Sequence, residues 1–270
     1  MIFHRTALLL LALAFISSPN NIAQDEDYSP FKIDIAREAV IYGAGTVAGI
    51  AALALISKLS PLTVDEVNAL DPADVNSFDR SAIGPKGEEN TGDFLLFASY
   101  ALPLSFLAFE DTRNDFPELL LMYGEVLLIT GSLNGIVKGV VKRTRPYAYS
   151  DETPIEKRTT SEARVSFYSG HTAVTASITF FMANVFTTYI SDKTTQILIW
   201  SAAALYPALT GYLRVSSSNH FPTDVIVGYA VGAGIGFLIP ELHKVEKENN
   251  FSLNTMVTKD GGALTLKLNF

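Results

Sequence analysis

Apolar residues gather into six long segments: Ala39 to Ile56, Phe94 to Phe109, Leu119 to Val137, Thr172 to Ile190, Ile197 to Leu213 and Val225 to Ile239. Each is long enough for a helix, and most sit near the lower limit of about 20 residues for spanning a bilayer. Gly and Ala recur inside them, as at Tyr42-Gly43-Ala44-Gly45 and Gly232-Ala233-Gly234. Small residues let helices approach closely, in a membrane or in a tight soluble bundle. Glu125 and Asn184 interrupt the third and fourth segments. A carboxylate facing lipid is costly, so Glu125 is expected to face the bundle interior and bond another helix. The tail changes period. Leu264, Leu266, Leu268 and Phe270 alternate with polar residues after a turn at Lys259-Asp260-Gly261-Gly262, which predicts a β-hairpin. The expected fold class is all-α, a six-helix bundle with a short C-terminal β-hairpin.

The first residues read as an export signal over 1–24. His4 and Arg5 precede the apolar run Ala7 to Ile16, and small and polar residues follow from Ser17 to Gln24. An uncleaved anchor is the other reading of that run. The connection from Ser57 to Asp93 is acidic but lacks the alternating carboxylates of a calcium loop. It reads as a surface loop with short helical turns, and Glu110 to Asp115 as a solvated acidic loop. The layout is then a signal over 1–24, a helical domain over 30–245 and a hairpin tail over 250–270.

Composition narrows the function. Hydrophobic residues make up 48% of the 270 and charged ones 18%, below the roughly 25% charge of soluble chains. That balance suits contact with a membrane. A net charge of −8 argues against a nucleic-acid partner, which requires a basic footprint. The absence of cysteine removes disulfides, thiolate catalysis and cysteine zinc sites.

Candidate chemistry lies at the segment ends. Lys138, Lys142 and Arg145 are spaced i, i+4, i+7 before Pro146, on one face of a continued helix. They suit a dianion, and equally the positive flank of a membrane helix. Ser169-Gly170-His171 opens the fourth segment. Free amides at a helix start bind phosphate oxygens, although a serine there is also an ordinary cap. Arg214 closes the fifth segment, and His220 stands four residues before Asp224 at the start of the sixth. A carboxylate beside an imidazole fixes its tautomer and frees the other nitrogen to attack; a purely structural pair has the same spacing. In a bundle of alternating helices these ends share one face.

Lys-x6-Arg-Pro, Ser-Gly-His and Arg-x5-His-x3-Asp together resemble the type 2 phosphatidic acid phosphatase and vanadium-dependent haloperoxidase superfamily, from Lys138 to Asp224. Two positions depart: Tyr168 stands where the family usually has Pro, and Leu213 where it usually has Ser. The resemblance implies that family's helical bundle and a phosphatase acting on a lipid phosphate monoester or pyrophosphate. It implies His220 as nucleophile, Asp224 as its orienting carboxylate and His171 as acid and base. Lys138, Arg145, Arg214, Ser169 and Gly170 would hold the phosphate oxygens. The clusters carry one carboxylate, already serving a histidine, so neither metal nor cofactor is implied. A vanadate-dependent haloperoxidase and an envelope anion-binding or transport protein are the other readings. The expected partners are a phosphorylated lipid and a membrane, and the expected place is the cell envelope with the catalytic face toward the periplasm. Nothing in the sequence speaks to oligomeric state.

Overall fold

Helix α1, Ile35–Ser57, starts at Asp34, whose side chain accepts the Arg37 backbone N–H. Its buried residues are Glu38, Gly45 and Ala52, spaced by seven, so a single seam faces protein. Much of the rest of its surface is apolar and exposed, including Ile35, Val47, Ile50 and Leu53. The seam packs on α6, Phe116–Val141. Ala52 lies against Gly135, Leu55 against Gly139, and Ser132 donates to the Gly45 carbonyl at 3.1 Å. Small residues on both sides allow this approach.

A computed structural model describes residues 29–245 and the backbone of two tail strands. Between α1 and α6 lie α2 (Val64–Asn68), α3 (Ser77–Arg80), α4 (Asn90–Ala101) and α5 (Glu110–Asn114). Then follow α7 (Ile155–Arg158), α8 (Gly170–Tyr189), α9 (Lys193–Ser216) and α10 (Pro222–His243). The expected six-helix bundle with a β-hairpin is corrected on this count. The domain is all-helical, and the described residues form ten α-helices and four 3-10 helices. Five of the six apolar segments fall on long helices, and the second, Phe94 to Phe109, is divided between α4 and the 3-10 helix Leu102–Ala108. The additional α-helices span only four or five residues in polar connections, where no apolar period marks them. The backbones of Phe251–Thr258 and Gly261–Leu268 pair antiparallel with each other; that ribbon is no layer of the helical fold. The expected signal, 1–24, lies outside the described residues.

Among the described residues four segments are long and apolar enough to cross a membrane: Ile35–Ser57, Asn90–Ala108, Phe116–Tyr149 and Pro222–His243. Helix α8 is the buried axis. Ile178, Phe181, Val185 and Phe186 pack there with Phe106, Leu119, Met122 and Val126. Helix α10 crosses α8 through Gly228, Gly232 and Gly236. A Cβ on these glycines would lie 2.6, 2.0 and 2.2 Å from the carbonyl oxygens of Ser169, Ala173 and Ser177. Gly232→Ala should therefore overpack the crossing and lower stability by about 1–3 kcal/mol. A Cβ on Gly234 meets nothing within 4 Å, so Gly234→Ala should be neutral or stabilising. Thermal unfolding of both variants in detergent distinguishes a packing seam from a general dislike of side chains on α10.

Candidate functional site

The glycine crossing brings the start of α10 onto the start of α8. The Ser169 backbone N–H donates to the Asp224 carbonyl at 3.0 Å. Pro222 opens α10 without an amide to satisfy, and the Asp224 carboxylate accepts the Phe221 N–H at 2.8 Å. His220, just before this turn, is 1% exposed, and its ring orientation follows from its neighbours. Nδ1 lies 2.7 Å from the Ser166 carbonyl oxygen. A carbonyl only accepts, so Nδ1 carries the proton and Nε2 keeps its lone pair.

Asp224 stands differently from the expected direct partner. Its Oδ2 is 3.6 Å from His220 Nδ1, beyond a hydrogen bond. That oxygen instead accepts from the Ser166 hydroxyl at 2.5 Å, and Oδ1 accepts from Arg143 at 2.6 Å. Asp224 thus fixes the residue whose carbonyl holds His220. Arg143 also donates to Asp79 at 2.7 Å and lies over the Phe221 ring. Asp79 is fully buried and accepts both the N–H and the hydroxyl of Thr223, at 2.9 and 2.7 Å. Burial raises its carboxyl, yet the bonds from Arg143 and Thr223 prevail and hold it below its ordinary range. The sequence reading missed Arg143, Asp79 and Ser166. It took the Ser57 to Asp93 connection for surface and continued the α6 face through Arg145. The helix in fact ends at Val141, with Lys142 left-handed at φ 49° and exposed.

Arg145 is buried beyond that turn. It donates to the carbonyls of Glu162 at 2.9 Å and Asn219 at 3.2 Å. Lys138 stays on the last turn of α6. Its Nζ lies 3.5 Å from where a Gly170 Cβ would be, and Asn134 Oδ1 lies 2.8 Å from that point. Only glycine therefore fits beside these two polar ends. Ser169 is the α8 N-cap; its hydroxyl faces Thr172, 3.0 Å from the threonine oxygen. His171, in the first turn, places Nε2 2.8 Å from Asp93 Oδ1. Arg214 donates to the same oxygen at 3.2 Å. Asp93, at the start of α4, is the second carboxylate the sequence reading missed; its partners lie about 80 and 120 residues away, beyond any local pattern.

The two imidazoles sit in a cationic field. Burial, then the charges of Arg145, Lys138 and Arg214, holds His220 well below its ordinary range, and His171 adds to the push. Burial and then Arg214 push His171 down to about 4, against an opposing pull from Asp93. His220, His171, Lys138, Arg145 and Arg214 thus act on one another within one site. Such a field favours a bound anion and keeps His220 neutral near pH 7.

No curated protein matches this chain. Among solved structures it is similar to the first transmembrane PAP2-type phosphatidylglycerolphosphate phosphatase from Bacillus subtilis, at 20% identity. That similarity covers 76% of this chain and 94% of the other, with a TM-score of 0.41. The model of the PAP2 superfamily matches residues 119–248, which include all eight of the site residues expected from the sequence. Residues 119–248, just under half of the chain, are thus similar to the PAP2 superfamily.

Proposed function

We propose that the protein is a metal-independent phosphatase that releases phosphate from a lipid phosphate monoester or pyrophosphate through a phosphohistidine at His220. The observation that carries this reading is the His220 ring: its Nδ1 proton is held by the Ser166 carbonyl, and its Nε2 lone pair is free in a field of three cations. In the first step a bond forms from Nε2 to phosphorus and the bond to the leaving oxygen breaks. His171 gives its proton to that oxygen. In the second step water gives a proton to His171, its oxygen bonds phosphorus, and the bond to Nε2 breaks. Lys138, Arg145, Arg214 and the Gly170 amide hold the equatorial oxygens, which is most of what phosphoryl transfer asks of a protein. Ser169 serves by capping the helix that presents that amide. Bound phosphate offsets the repulsion from Arg214, so its arrival favours the protonated His171 that the first step uses. Among the described residues four segments are long and apolar enough to cross a membrane, which supports a lipid as the carrier of the phosphate.

His220→Ala should lower phosphate release by more than about 1000-fold, because the nucleophile itself is gone. The acid-labile, base-stable label that identifies phosphohistidine on the wild-type enzyme should disappear with it. Near wild-type release by His220→Ala would instead favour an anion-binding protein contaminated by a phosphatase.

Asp93 is a positioning residue for His171. Asp93 raises the His171 pKa against burial and Arg214, so Asp93→Asn should lower it further. The ionisation seen in kcat/KM, which reports the free enzyme, should move to lower pH. The rate near neutral pH should fall by roughly tenfold for each unit of that move. An unmoved pH profile with lost activity would mean that Asp93 only supports the fold.

We place the catalytic face outside the inner membrane, in keeping with the export-type run before the helical domain. The loop Tyr147 to Phe167 carries the Arg145 partners Glu162 and Ala163. Protease added to cells with only the outer barrier opened should cleave it. Protection until the inner membrane is broken would put the site on the cytoplasmic side.

A further inference from the structure

Away from His220, at the other end of α10, three hydrogen-bond acceptors meet without a donor between them. Glu38 comes from the first turn of α1, Glu125 from the middle of α6 and His243 from the last position of α10. Helix α10 has 22 residues, so about 33 Å of helix separates this cluster from the catalytic end. All three residues are buried, and their ligand atoms lie within 4.8 Å of one another. His243 Nδ1 is 2.8 Å from the Ile239 carbonyl oxygen. The ring proton is therefore on Nδ1, and Nε2 turns a lone pair toward the carboxylates. Both Glu38 oxygens lie 3.2 Å from Nε2, and Glu125 Oε2 lies 3.5 Å from it. Glu125 is 0% exposed, and neither of its oxygens accepts a hydrogen bond. Arg37 donates to Glu38 Oε1 but reaches nothing else in the cluster. Buried acceptors facing one another require a proton or a cation between them.

We propose that Glu38, Glu125 and His243 bind a divalent transition-metal ion of the zinc type, which ties α1, α6 and α10 together at the end of the bundle opposite the phosphatase site. An imidazole with two carboxylates is a donor set for such an ion. The spacing agrees. Ligands about 2.0–2.1 Å from a tetrahedral zinc stand about 3.3–3.4 Å apart, and the separations of 3.2 and 3.5 Å bracket that value. The surroundings agree too. A metal-binding histidine donates its other N–H to a carbonyl or carboxylate, and a ligating carboxylate takes an outer hydrogen bond; Ile239 and Arg37 supply these. The neighbouring chain is already folded over the cluster. The Lys32 N–H donates to the His243 carbonyl at 2.7 Å, and Arg37 donates to the Leu242 and Lys32 carbonyls at 2.6 Å each. The ion acts on helix docking and takes no part in phosphoryl transfer, so the proposal stands apart from the assignment of His220.

The test is Zn2+ binding by untagged, full-length protein in detergent, stripped with a chelator and then titrated by calorimetry. One Zn2+ per chain should bind and survive desalting, and it should raise the thermal midpoint. Glu125→Gln and His243→Gln should each weaken binding by about 100-fold or more and abolish the thermal response. Should either variant fail to fold, Co2+ bound to wild-type protein decides the matter through the strong visible absorption of a tetrahedral site. Failure of the wild-type protein to take up Zn2+ overturns the proposal. So does equal binding by Glu125→Gln. A Glu125→Gln protein as stable as metal-free wild type, with no zinc response in either, would mean that a proton fills the cluster instead.

Discussion

The site depends first on how closely α10 can approach α8. Three glycines on α10 let backbone meet backbone over two turns, with no side chain between. Interfaces of this kind have few alternative packings, because any slip drives a Cα into a carbonyl. The two helix starts are thereby fixed against each other, and the bond from the Ser169 amide to the Asp224 carbonyl locks the register. His171 and His220 each lie within a few residues of that bond. Their relative position is a consequence of main-chain geometry rather than of the soft torsions of long side chains.

Around that frame the acidic and basic residues divide their work. Arg143 satisfies the two buried carboxylates, Asp224 and Asp79, at 2.6 and 2.7 Å. Those carboxylates in turn hold Ser166, Thr223 and the first turn of α10. The imidazole of His220 is oriented by a backbone carbonyl that this network positions. A neutral acceptor at Nδ1 fixes the tautomer as a carboxylate would, without placing a full negative charge in bonding contact with the ring.

The pattern of apolar segments announced the long helices, and the small residues within them announced close packing. Gly232 lies at the centre of the tightest crossing. The three clusters at the segment ends were legible because helix starts and stops carry their own signals in Pro146, Ser169, Gly170 and Pro222. What stayed hidden has a common cause. Asp79, Asp93 and Ser166 act through partners far away in the chain, and in sequence an acidic loop residue looks the same whether it is solvated or buried. Arg143 stood inside a cluster already singled out, but periodicity assumed that α6 continued. The left-handed Lys142 breaks that phase and turns Arg143 toward Asp224 and Arg145 toward Asn219. His243 lies past the last apolar segment, yet α10 runs through it and buries it completely.

The contrast between Arg143 and Arg145 explains why the site remains cationic. Two arginines two residues apart could both have been neutralised by nearby acids. Arg143 is. Arg145 is held by the carbonyls of Glu162 and Asn219, which fix its position while leaving its charge in place. Its only ion-pair neighbour among the described residues, the Glu162 carboxylate, is 3.6 Å away and 71% exposed, where water weakens the attraction. Arg214 donates to an Asp93 oxygen that also meets the His171 ring, and its other carboxylate neighbour, Glu89, lies 4.0 Å away. Lys138 has no ion pair among the described residues. Carbonyl anchoring thus solves two problems at once: the buried Arg145 guanidinium keeps its hydrogen bonds, and the site keeps a surplus of positive charge that only an incoming polyanion can match.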